Sequence, residues 1–374
     1  MMAPAAVALG FELRVLAEGP GVSAVSAVAS ATVGDYKDLA TLAAFAEGVD
    51  VLTFDHEHVP GAHLRSLAEA GVNVQPSPDA LIHAQDKLVM RAAVERLGLP
   101  NPRWAAVAGT ADLVDFGKAA GWPVVLKTPR GGYDGKGVRI INDAAEAAGA
   151  ADWFTGEPLL AEEKVPFTRE LSALVARTPD GRALPWPVVH SIQVDGVCDE
   201  VIAPAQGLDP AVAAAAQDAA LRLAAELGVT GVMAVELFET PGRGAGFLIN
   251  ELAMRPHNSG HWTMDGSVTG QFEQHLRAVL DLPLGATDVL GGVVVMKNYL
   301  GGANTDLFSG YAQALAAEPA AKIHNYGKSV RPGRKVGHVN VVGRSAADLP
   351  EVRRSAEHAA AILRDGRDPQ KEKS

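Results

Sequence analysis

Short apolar runs alternate with longer amphipathic stretches along the first 85 residues. Residues 13–17, 49–54 and 72–75 form short apolar runs and are predicted as strands. Residues 36–46 and 62–70 carry apolar positions at helical spacing and are predicted as helices. An alternation of strands and helices predicts a small parallel sheet.

The remaining chain has longer helical patterns and clearer strand pairs. Residues 79–97 and 211–227 are predicted as long helices, each ended by a glycine. Residues 231–238 and 246–252 are predicted as strands joined by the turn TPGRGAG, and residues 271–280 as a further helix. A last group of strands is predicted near residues 293–298 and 338–342. The opening segment APAAVALG also has the pattern of a helix.

Composition and charge exclude several classes of protein. With 33 Lys and Arg against 44 Asp and Glu, the net charge of −11 argues against binding to nucleic acid or an anionic membrane. The single cysteine, Cys198, excludes an internal disulfide and a cysteine-based zinc site, and fits a reducing compartment. No apolar run approaches the ~18 residues of a membrane span, and the N-terminus lacks the basic start of a signal peptide. We therefore expect a soluble, cytoplasmic globular protein.

A glycine-rich segment, TPRGGYDGKGV at residues 128–138, follows a predicted strand over residues 124–127. Its glycines let main-chain N–H groups approach an anion closely, and Lys136 adds positive charge. The spacing fits neither the Walker A nor the Rossmann glycine pattern, and a plain hairpin with a tight Asp-Gly turn is the alternative. Lys127 stands among apolar neighbours, where an ammonium needs an anion. Together these features favour a phosphate site.

Two carboxylates interrupt otherwise apolar strands, Glu236 in GVMAVELFE and Glu251 in GFLINELAM. If the strands pair through their hairpin, the two side chains lie close together, which is unfavourable unless a cation sits between them. Carboxylate oxygens and the neighbouring Asn250 amide suit Mg²⁺. The alternative is that each glutamate pairs with a nearby lysine or arginine.

Two further segments are rich in polar groups. Arg255 is predicted as an anion-binding fork, whereas a metal site on His257 and His261 is disfavoured because Pro256 and Gly260 argue against the helix it would need. RPGRKVGH at residues 331–338 supplies further cations, although a solvated basic turn explains such a run equally well.

Four segments together resemble the 5-(carboxyamino)imidazole ribonucleotide synthetase family of the ATP-grasp superfamily. They are LKTPRGGYDGKGV, AEEKVPFTRELS, INELAMRPHNSGH and RPGRKVGHVNV, and the resemblance spans roughly residues 1–345. It implies a mixed α/β ATP-grasp fold in which ATP phosphorylates bicarbonate to carboxyphosphate. The amino group of 5-aminoimidazole ribonucleotide then captures the carboxyl unit in purine biosynthesis. The family also implies Mg²⁺, with Mn²⁺ as a substitute, and a homodimer. The net charge and the lack of a long apolar run predict no nucleic acid or membrane as partner.

The resemblance assigns roles residue by residue. The implied nucleotide-binding positions are Lys87, Lys127, Gly132, Tyr133, Asp134, Gly135, Lys136, Gly137, Val138, Glu162, Glu163, Lys164, Val165, Glu170, Gln193, Asn250 and Glu251. The implied substrate positions are Glu57, Tyr133, Arg255, His257, Asn258, Arg334 and Lys335. Glu236 and Glu251 match the Mg²⁺ ligands, and Asp134, Lys136 and Arg255 the catalytic positions. Asp134 is the expected acid or base near the reacting amine.

The implied domains are an N-terminal pre-ATP-grasp α/β domain over residues 1–85, an ATP-grasp domain over 86–284, and a small β-rich C-terminal domain over 285–366. A lid subdomain is expected at about 104–170 within the second of these. The polar tail at 367–374 is expected to be disordered.

The chain departs from the family pattern at three places. Members usually open with a strand and a G-G-G-Q-L turn, which this chain lacks, so we expect either a start codon placed too late or a truncated copy. Asp55 replaces the first glutamate of an E-x-E-x-V motif, while Glu57 is retained. Gln193 stands where a histidine is common.

Two other functions compete with this interpretation. The first is a different ATP-grasp ligase, such as a formate-using glycinamide ribonucleotide enzyme or a biotin carboxylase. The second is a non-catalytic nucleotide-binding scaffold, for which the missing first strand is the argument.

Overall fold

The computed structural model describes residues 1–132 and 137–368. Its strands are Arg14–Ala17 (β1), Ser30–Val33 (β2), Trp104–Val107 (β3), Val124–Lys127 (β4), Val138–Ile141 (β5), Leu159–Glu163 (β6), Arg169–Arg177 (β7), Ala183–Pro185 (β8), Val189–Val194 (β9), Val197–Ala203 (β10), Gly231–Glu239 (β11), Phe247–Ala253 (β12), Val293–Leu300 (β13), Lys322–Asn325 (β14) and Lys335–Gly343 (β15).

Its α-helices are Ala3–Leu9 (α1), Ser23–Ala27 (α2), Leu39–Ala46 (α3), Gly61–Glu69 (α4), Pro78–Gln85 (α5), Lys87–Arg96 (α6), Thr110–Ala120 (α7), Ala144–Ala148 (α8), Pro210–Glu226 (α9), Thr263–Gly266 (α10), Gln271–Val279 (α11), Tyr311–Ala317 (α12) and Leu349–Asp365 (α13). Short 3₁₀ turns occur at Ala151–Trp153, Asn258–Gly260, Leu307–Gly310 and Ala346–Asp348. No helix within these described ranges is both long and apolar enough to cross a membrane.

The described strands form three sheets. β1 and β2 make a small parallel pair near the N-terminus. A four-stranded antiparallel sheet, here called the lid sheet, has the order β3-β6-β4-β5. A large sheet, here called the base sheet, has the order β12-β11-β7-β9-β10-β13-β15-β14, with β8 paired to β7. The predicted α/β class is therefore confirmed.

The N-terminal prediction is right for α1, β1, α3 and α4 and wrong for two strands. Residues 49–54 and 72–75 meet only at one parallel bridge, between Leu52 and Val74. The Asn73 side chain donates to the carbonyl of Asp50 at 3.3 Å, so a main-chain acceptor beside the bridge is used by a side chain. This carbonyl is the acceptor that the next rung of a parallel ladder would use, and the pairing does not extend past the bridge. The additional strand β2 was not predicted.

The single helix predicted over residues 79–97 is divided in two at Asp86. This residue is extended, with φ −134° and ψ 111°, and its carboxylate accepts from the N–H groups of Leu88 and Val89 at 3.0 and 3.2 Å. An aspartate whose side chain accepts these bonds is the N-cap of a new helix. The apolar pattern continues across the cap, which is why the sequence predicted one helix instead of two. Lys87 consequently begins α6, and Arg91 lies one turn further along it.

Strands β11 and β12 pair antiparallel around a bulge. Glu236 lies opposite Glu251, but Leu237 lies opposite Ile249, so Asn250 is the extra residue. The bulge reverses the alternation of β12, which lets both Ile249 and Leu252 enter the same apolar core with Leu237. Helix α9 packs against that core.

The C-terminal strands do not form a sheet of their own. β13 pairs with β10 of the central segment, and β15 and β14 follow it, so the base sheet continues through residue 343. Helix α13 covers this end, packing its Ala359 and Ile362 against Val295 and Val339. The predicted domain boundaries, after residues 85 and 284, stay a prediction.

Candidate active site

Lys127 ends strand β4 of the lid sheet, and Glu162 lies on the adjacent strand β6. The lysine is 9% exposed, and its Nζ is 2.7 Å from Glu162 Oε2. Burial alone would raise the pKa of Glu162, but the charges and hydrogen bonds of Arg91 and Lys127 lower it to about 2. The anion expected beside Lys127 is therefore present in the protein itself.

Arg91 is the second cation on Glu162, and sequence reasoning missed it. Its side chain is completely buried, and its Nε donates to Glu162 Oε1. Helix α6 buries Met90, Ala93 and Val94 on one face. The signal that could have found Arg91 is its position on this apolar face, since a buried guanidinium requires partners.

The next three predicted nucleotide-binding residues, at positions 163–165, differ in exposure. Arg103 donates to Glu163 through its main-chain N–H at 2.7 Å, and Arg243 donates through its guanidinium at 2.5 Å. The Glu163 side chain is therefore bound to two arginines, and its nucleotide contact stays a prediction. Lys164 is exposed and Val165 buried.

Glu170 lies on β7 opposite Phe238. Burial raises the pKa of Glu170 to about 7, against the opposing charge of Lys127. The resemblance assigns this carboxylate to the nucleotide ribose, a role that stays a prediction.

The two carboxylates predicted to bind metal face each other across β11 and β12. Lys87 Nζ lies 3.1 Å from Glu251 Oε1, and His257 Nε2 lies 3.4 Å from Glu236 Oε1. Among the residues the structure describes, the buried Asn250 Oδ1 has no hydrogen-bond partner. Mg²⁺ prefers oxygen ligands of this kind: two carboxylates and an amide oxygen that accepts no hydrogen bond from the described residues.

Electrostatics favour a cation at the same place. Burial first, and then the negative charges of Glu251 and Glu170, raise the pKa of Glu236 to about 8. A bound divalent cation would relieve this repulsion and keep Glu236 ionised. The residues present therefore fit Mg²⁺.

Replacing Glu236 with glutamine should stabilise the metal-free protein at high pH. Because the pKa of Glu236 is raised in the folded state, the protonated side chain costs no stability below about pH 4.5. As the pH rises toward 8, the unfolded chain gains the ionised form that the folded protein disfavours, and the free energy of unfolding falls. The full shift would correspond to about 4–5 kcal/mol, but the Glu236 side chain is 28% exposed and solvent screens its charge, so we expect the stability advantage of Glu236→Gln to grow by roughly 1–2 kcal/mol between pH 5 and pH 9. Urea unfolding in a chelator measures it. The exposed control Glu226→Gln should show no such trend, and a pH-independent Glu236→Gln difference would contradict the prediction.

His257 is held by a dense network from α11 and the base sheet. Gln271 accepts from the His257 N–H and donates to its carbonyl, both at 2.8 Å. The Ser259 N–H donates to His257 Nδ1 at 3.3 Å, and Ser259 Oγ lies 2.7 Å from Ser172 Oγ. Burial, and next the charge of Arg255, lower the pKa of His257 well below its usual value. The ring is therefore neutral, and the Ser259 N–H on Nδ1 favours the tautomer with the proton on Nε2, the atom that faces Glu236.

Arg255 joins the N-terminal segment to the site. Its Nε donates to Glu57 Oε2 at 2.6 Å, while Glu57 Oε1 is buried and lacks a hydrogen-bond partner within the described part of the chain. The two predicted substrate residues are thus in contact, and one carboxylate oxygen remains for another donor.

The other predicted positions are more dispersed. Lys335 begins β15, where its charge lowers the pKa values of Glu236 and His257. Asn258 follows His257 in a 3₁₀ turn. Exposed Arg334 donates to Ser329 Oγ at 2.8 Å, and Gln193 on β9 donates to Ser191 Oγ at 3.0 Å.

The glycine segment is described only at its two ends. Lys127 pairs with Val138, and the Thr128 N–H donates to the Gly137 carbonyl at 2.9 Å. Gly137 has φ +70°, and a Cβ there would lie 2.4 Å from Thr128 Oγ1, so any other residue would be strained at this position. Gly132 is the last described residue before the gap. The predictions for Tyr133, Asp134, Gly135 and Lys136 lie outside the described residues.

Three family models match consecutive parts of the chain. A ribonucleotide synthetase preATP-grasp domain matches residues 1–85, an ATP-grasp domain matches 92–272, and a phosphoribosylaminoimidazole carboxylase C-terminal domain matches 294–352. The N5-carboxyaminoimidazole ribonucleotide synthase of Mycobacterium tuberculosis is 52% identical over 97% of this chain and 85% of that protein. The corresponding protein of Corynebacterium ammoniagenes is 48% identical over 97% and 89%.

A solved structure extends the same likeness to the fold. The N5-carboxyaminoimidazole ribonucleotide synthetase of Thermus thermophilus superposes with a TM-score of 0.87 at 36% identity, covering 99% of this chain and 96% of that one. The Aspergillus clavatus enzyme, solved with ADP and 5-aminoimidazole ribonucleotide, superposes with a TM-score of 0.85 at 29% identity, covering 97% and 95%. With its sequence, domain order and fold all in agreement, the chain belongs to the N5-carboxyaminoimidazole ribonucleotide synthase family of ATP-grasp ligases.

Proposed function

We propose that this chain carboxylates 5-aminoimidazole ribonucleotide at the expense of ATP, with bicarbonate as the carboxyl source and Mg²⁺ as the metal. The observation that carries the proposal is the opposed pair Glu236 and Glu251 beside Lys87, at the junction of the lid and base sheets. Such a pair suits a metal that bridges to nucleotide phosphates.

The ATP half of the site draws on both sheets. We assign the phosphate-binding cations to Lys87 and Lys127, the ribose contact to Glu170, and the metal to Glu236 and Glu251. When bound, Mg²⁺ would offset the negative charge on the transferring phosphoryl group. Lys127 reaches this region on its strand while bonded to Glu162, and can exchange that contact in part for a phosphate.

The ribonucleotide half draws on the N-terminal segment and the last strands. We assign Arg255, His257, Asn258 and Lys335 to bicarbonate and the ribonucleotide. The neutral His257 can donate from Nε2, whereas Arg255 and Lys335 supply positive charge. Glu57 orients Arg255 through their 2.6 Å hydrogen bond.

The reaction then proceeds in two steps. Bicarbonate oxygen attacks the γ-phosphorus of ATP, ADP leaves, and carboxyphosphate forms. The 5-amino nitrogen next attacks the carboxyl carbon, the C–O bond to phosphate breaks, and the amine proton passes to a base, which we assign to Asp134. The products are the N-carboxylated ribonucleotide, ADP and phosphate.

Phosphate release from ATP, measured with each substrate omitted in turn, tests this function. We expect fast release only when bicarbonate and 5-aminoimidazole ribonucleotide are both present. Release driven by formate with glycinamide ribonucleotide, or by biotin, would support a different ATP-grasp ligase. Nucleotide binding without release under any combination would support a non-catalytic scaffold.

Replacing Lys335 with alanine should weaken ribonucleotide use while sparing ATP. Losing one charged hydrogen bond costs about 1.5–3 kcal/mol, so the KM for the ribonucleotide should rise roughly ten- to hundredfold. The KM for ATP should stay within about twofold. Lys322→Ala, an exposed lysine on β14, is the control and should change neither value. Equal losses for both substrates would place Lys335 in a nucleotide site instead.

We also propose that the enzyme is a homodimer in the cytoplasm. The negative net charge and single cysteine support a reducing compartment without nucleic-acid partners. Analytical ultracentrifugation of the full chain tests the assembly: a sedimentation coefficient that fits one chain at micromolar concentration would overturn the dimer.

A further inference from the structure

Helix α6 lies between the lid sheet and the base sheet, and one of its side chains is bonded to both. We propose that Arg91 is a positioning residue that fixes the position of Lys127, in the lid sheet, relative to Glu251, in the base sheet. The inference rests on the proposed function, because it takes those two residues as parts of one nucleotide site. Arg91 itself is completely buried and touches neither ATP nor metal in this assignment.

On the lid side, Arg91 acts through a shared carboxylate. Glu162 uses Oε1 for Arg91 and Oε2 for Lys127, so the two cations are held on opposite oxygens of one planar group. One negative charge between two positive charges leaves a net positive charge at this point. The excess can serve a phosphate at Lys127, because Arg91 already satisfies half of the carboxylate.

On the base side, Arg91 holds the bulge in β12. Its Nη1 donates to the carbonyl of Ile249 at 2.7 Å, and its Nη2 donates to that of Asn250 at 2.8 Å. A bulge disrupts the local ladder and leaves main-chain groups that need other partners. Because the bulge is what aligns Glu251 with Glu236, the guanidinium stabilises the arrangement of the predicted metal ligands.

The geometry requires an arginine. Nε, Nη1 and Nη2 all donate, and Nη1 also reaches Asn101 Oδ1 at 3.1 Å. A guanidinium carries five donors in a rigid plane, whereas a lysine ammonium concentrates three donors on one atom. A lysine at this position would keep the charge near Glu162 but could not span the carboxylate and both carbonyls.

A second contact between the sheets is weaker. Arg243, in the hairpin between β11 and β12, pairs with Glu163 at 2.5 Å, but its side chain is 39% exposed. Solvent screens such a pair, so it provides a less rigid connection than the buried Arg91. Of these two connections, the one through Arg91 reaches both Lys127 and the bulge.

Substrate affinities of single variants test the proposal. We expect Arg91→Lys to weaken Mg·ATP binding about tenfold or more, measured by calorimetry on the full chain, and to lower kcat. Affinity for 5-aminoimidazole ribonucleotide should change less than about threefold. The matched control Arg96→Lys, at an exposed arginine on the same helix, should change neither affinity. Unchanged ATP affinity in Arg91→Lys, or equal losses for both ligands, would overturn the positioning role.

A double-variant cycle then tests the route through Lys127. In a Lys127→Met background, Arg91→Lys should reduce ATP affinity by much less than it does in the natural chain, since the shared element is already lost. If the losses of ATP affinity from the two substitutions simply multiply in the double variant, Arg91 does not act through Lys127. If Arg91→Lys does not fold, Asn101→Ser removes one acceptor of Arg91 without changing a charge and should weaken ATP binding about two- to fivefold; no change would contradict the proposal.

The two hypotheses fail in different ways. A chain that binds Mg·ATP but releases no phosphate with bicarbonate and 5-aminoimidazole ribonucleotide would contradict the proposed function. The ATP affinities of Arg91→Lys and Arg96→Lys would then still show whether Arg91 positions the nucleotide site. A fully active natural chain whose Arg91→Lys variant keeps both ATP affinity and kcat would contradict the positioning role alone.

Discussion

Glu251→Gln should reduce turnover with Mg·ATP by about 10³-fold. The substitution keeps the shape of the side chain but removes the negative charge opposite Glu236 and beside Lys87. A metal that offsets phosphoryl charge contributes several kcal/mol to transition-state stability, and a loss of about 4 kcal/mol corresponds to a factor of about 10³. The loss should appear mainly in kcat, measured as phosphate release at saturating substrates.

The control for this variant is Glu226→Gln, an exposed glutamate at the end of α9. It makes the same chemical change away from the site and should leave kcat within about twofold. Raising the Mg²⁺ concentration should recover part of the Glu251→Gln activity, because the amide oxygen is a weaker ligand of the same kind. Full activity of Glu251→Gln would rule out the metal assignment.

Asp134→Asn should lower kcat by about 10²–10⁴-fold while leaving both substrate KM values within about threefold. An amide of the same size cannot accept the proton released when the amine attacks carboxyphosphate, and general-base catalysis contributes a factor in that range. The residue belongs to the glycine segment that starts after Lys127, and the ends of that segment meet at Thr128 and Gly137. Steady-state kinetics with varied ribonucleotide separates turnover from binding.

Asp115→Asn provides the comparison within the same subdomain. Asp115 is an exposed residue of α7 that pairs with Lys118, three residues further along the same helix, at 3.2 Å. Its substitution should be silent in both kinetic constants. An Asp134→Asn variant that lost ribonucleotide affinity but kept kcat would identify Asp134 as a binding group rather than a base.

The proximity of Glu236 and Glu251 could be predicted from the sequence because it follows from local rules, whereas their exact register depends on the bulge at Asn250. Each carboxylate interrupts an apolar strand, and the short glycine-rich turn between the strands makes a hairpin almost unavoidable. The family resemblance then supplied the roles of the residues. The hairpin depends on contacts between neighbouring segments of the chain, and the roles depend on short sequence motifs.

The bulge at Asn250 and the contacts of Arg91 could not be predicted in the same way. A bulge adds one residue to one strand, and the run FLINELA has no glycine to mark it. Arg91 bonds to residues 71 and 158 positions away in the sequence, so its partners depend on how the two sheets pack. The same limit explains Glu163, whose side chain binds Arg243 some 80 residues later.

Because the base sheet is continuous, it limits where the chain can be truncated without exposing a strand edge. A chain shortened to end at residue 284 would retain every residue assigned to ATP and metal, yet it would lose the strand that pairs with β10. Val201, Ile202 and Ala203 are buried, and removing β13 would turn them into an apolar open edge. Such edges pair with other chains, so we expect the isolated ATP-binding fragment to aggregate. Fragment-based expression and the grafting of this catalytic unit onto other proteins therefore require the C-terminal strands as well.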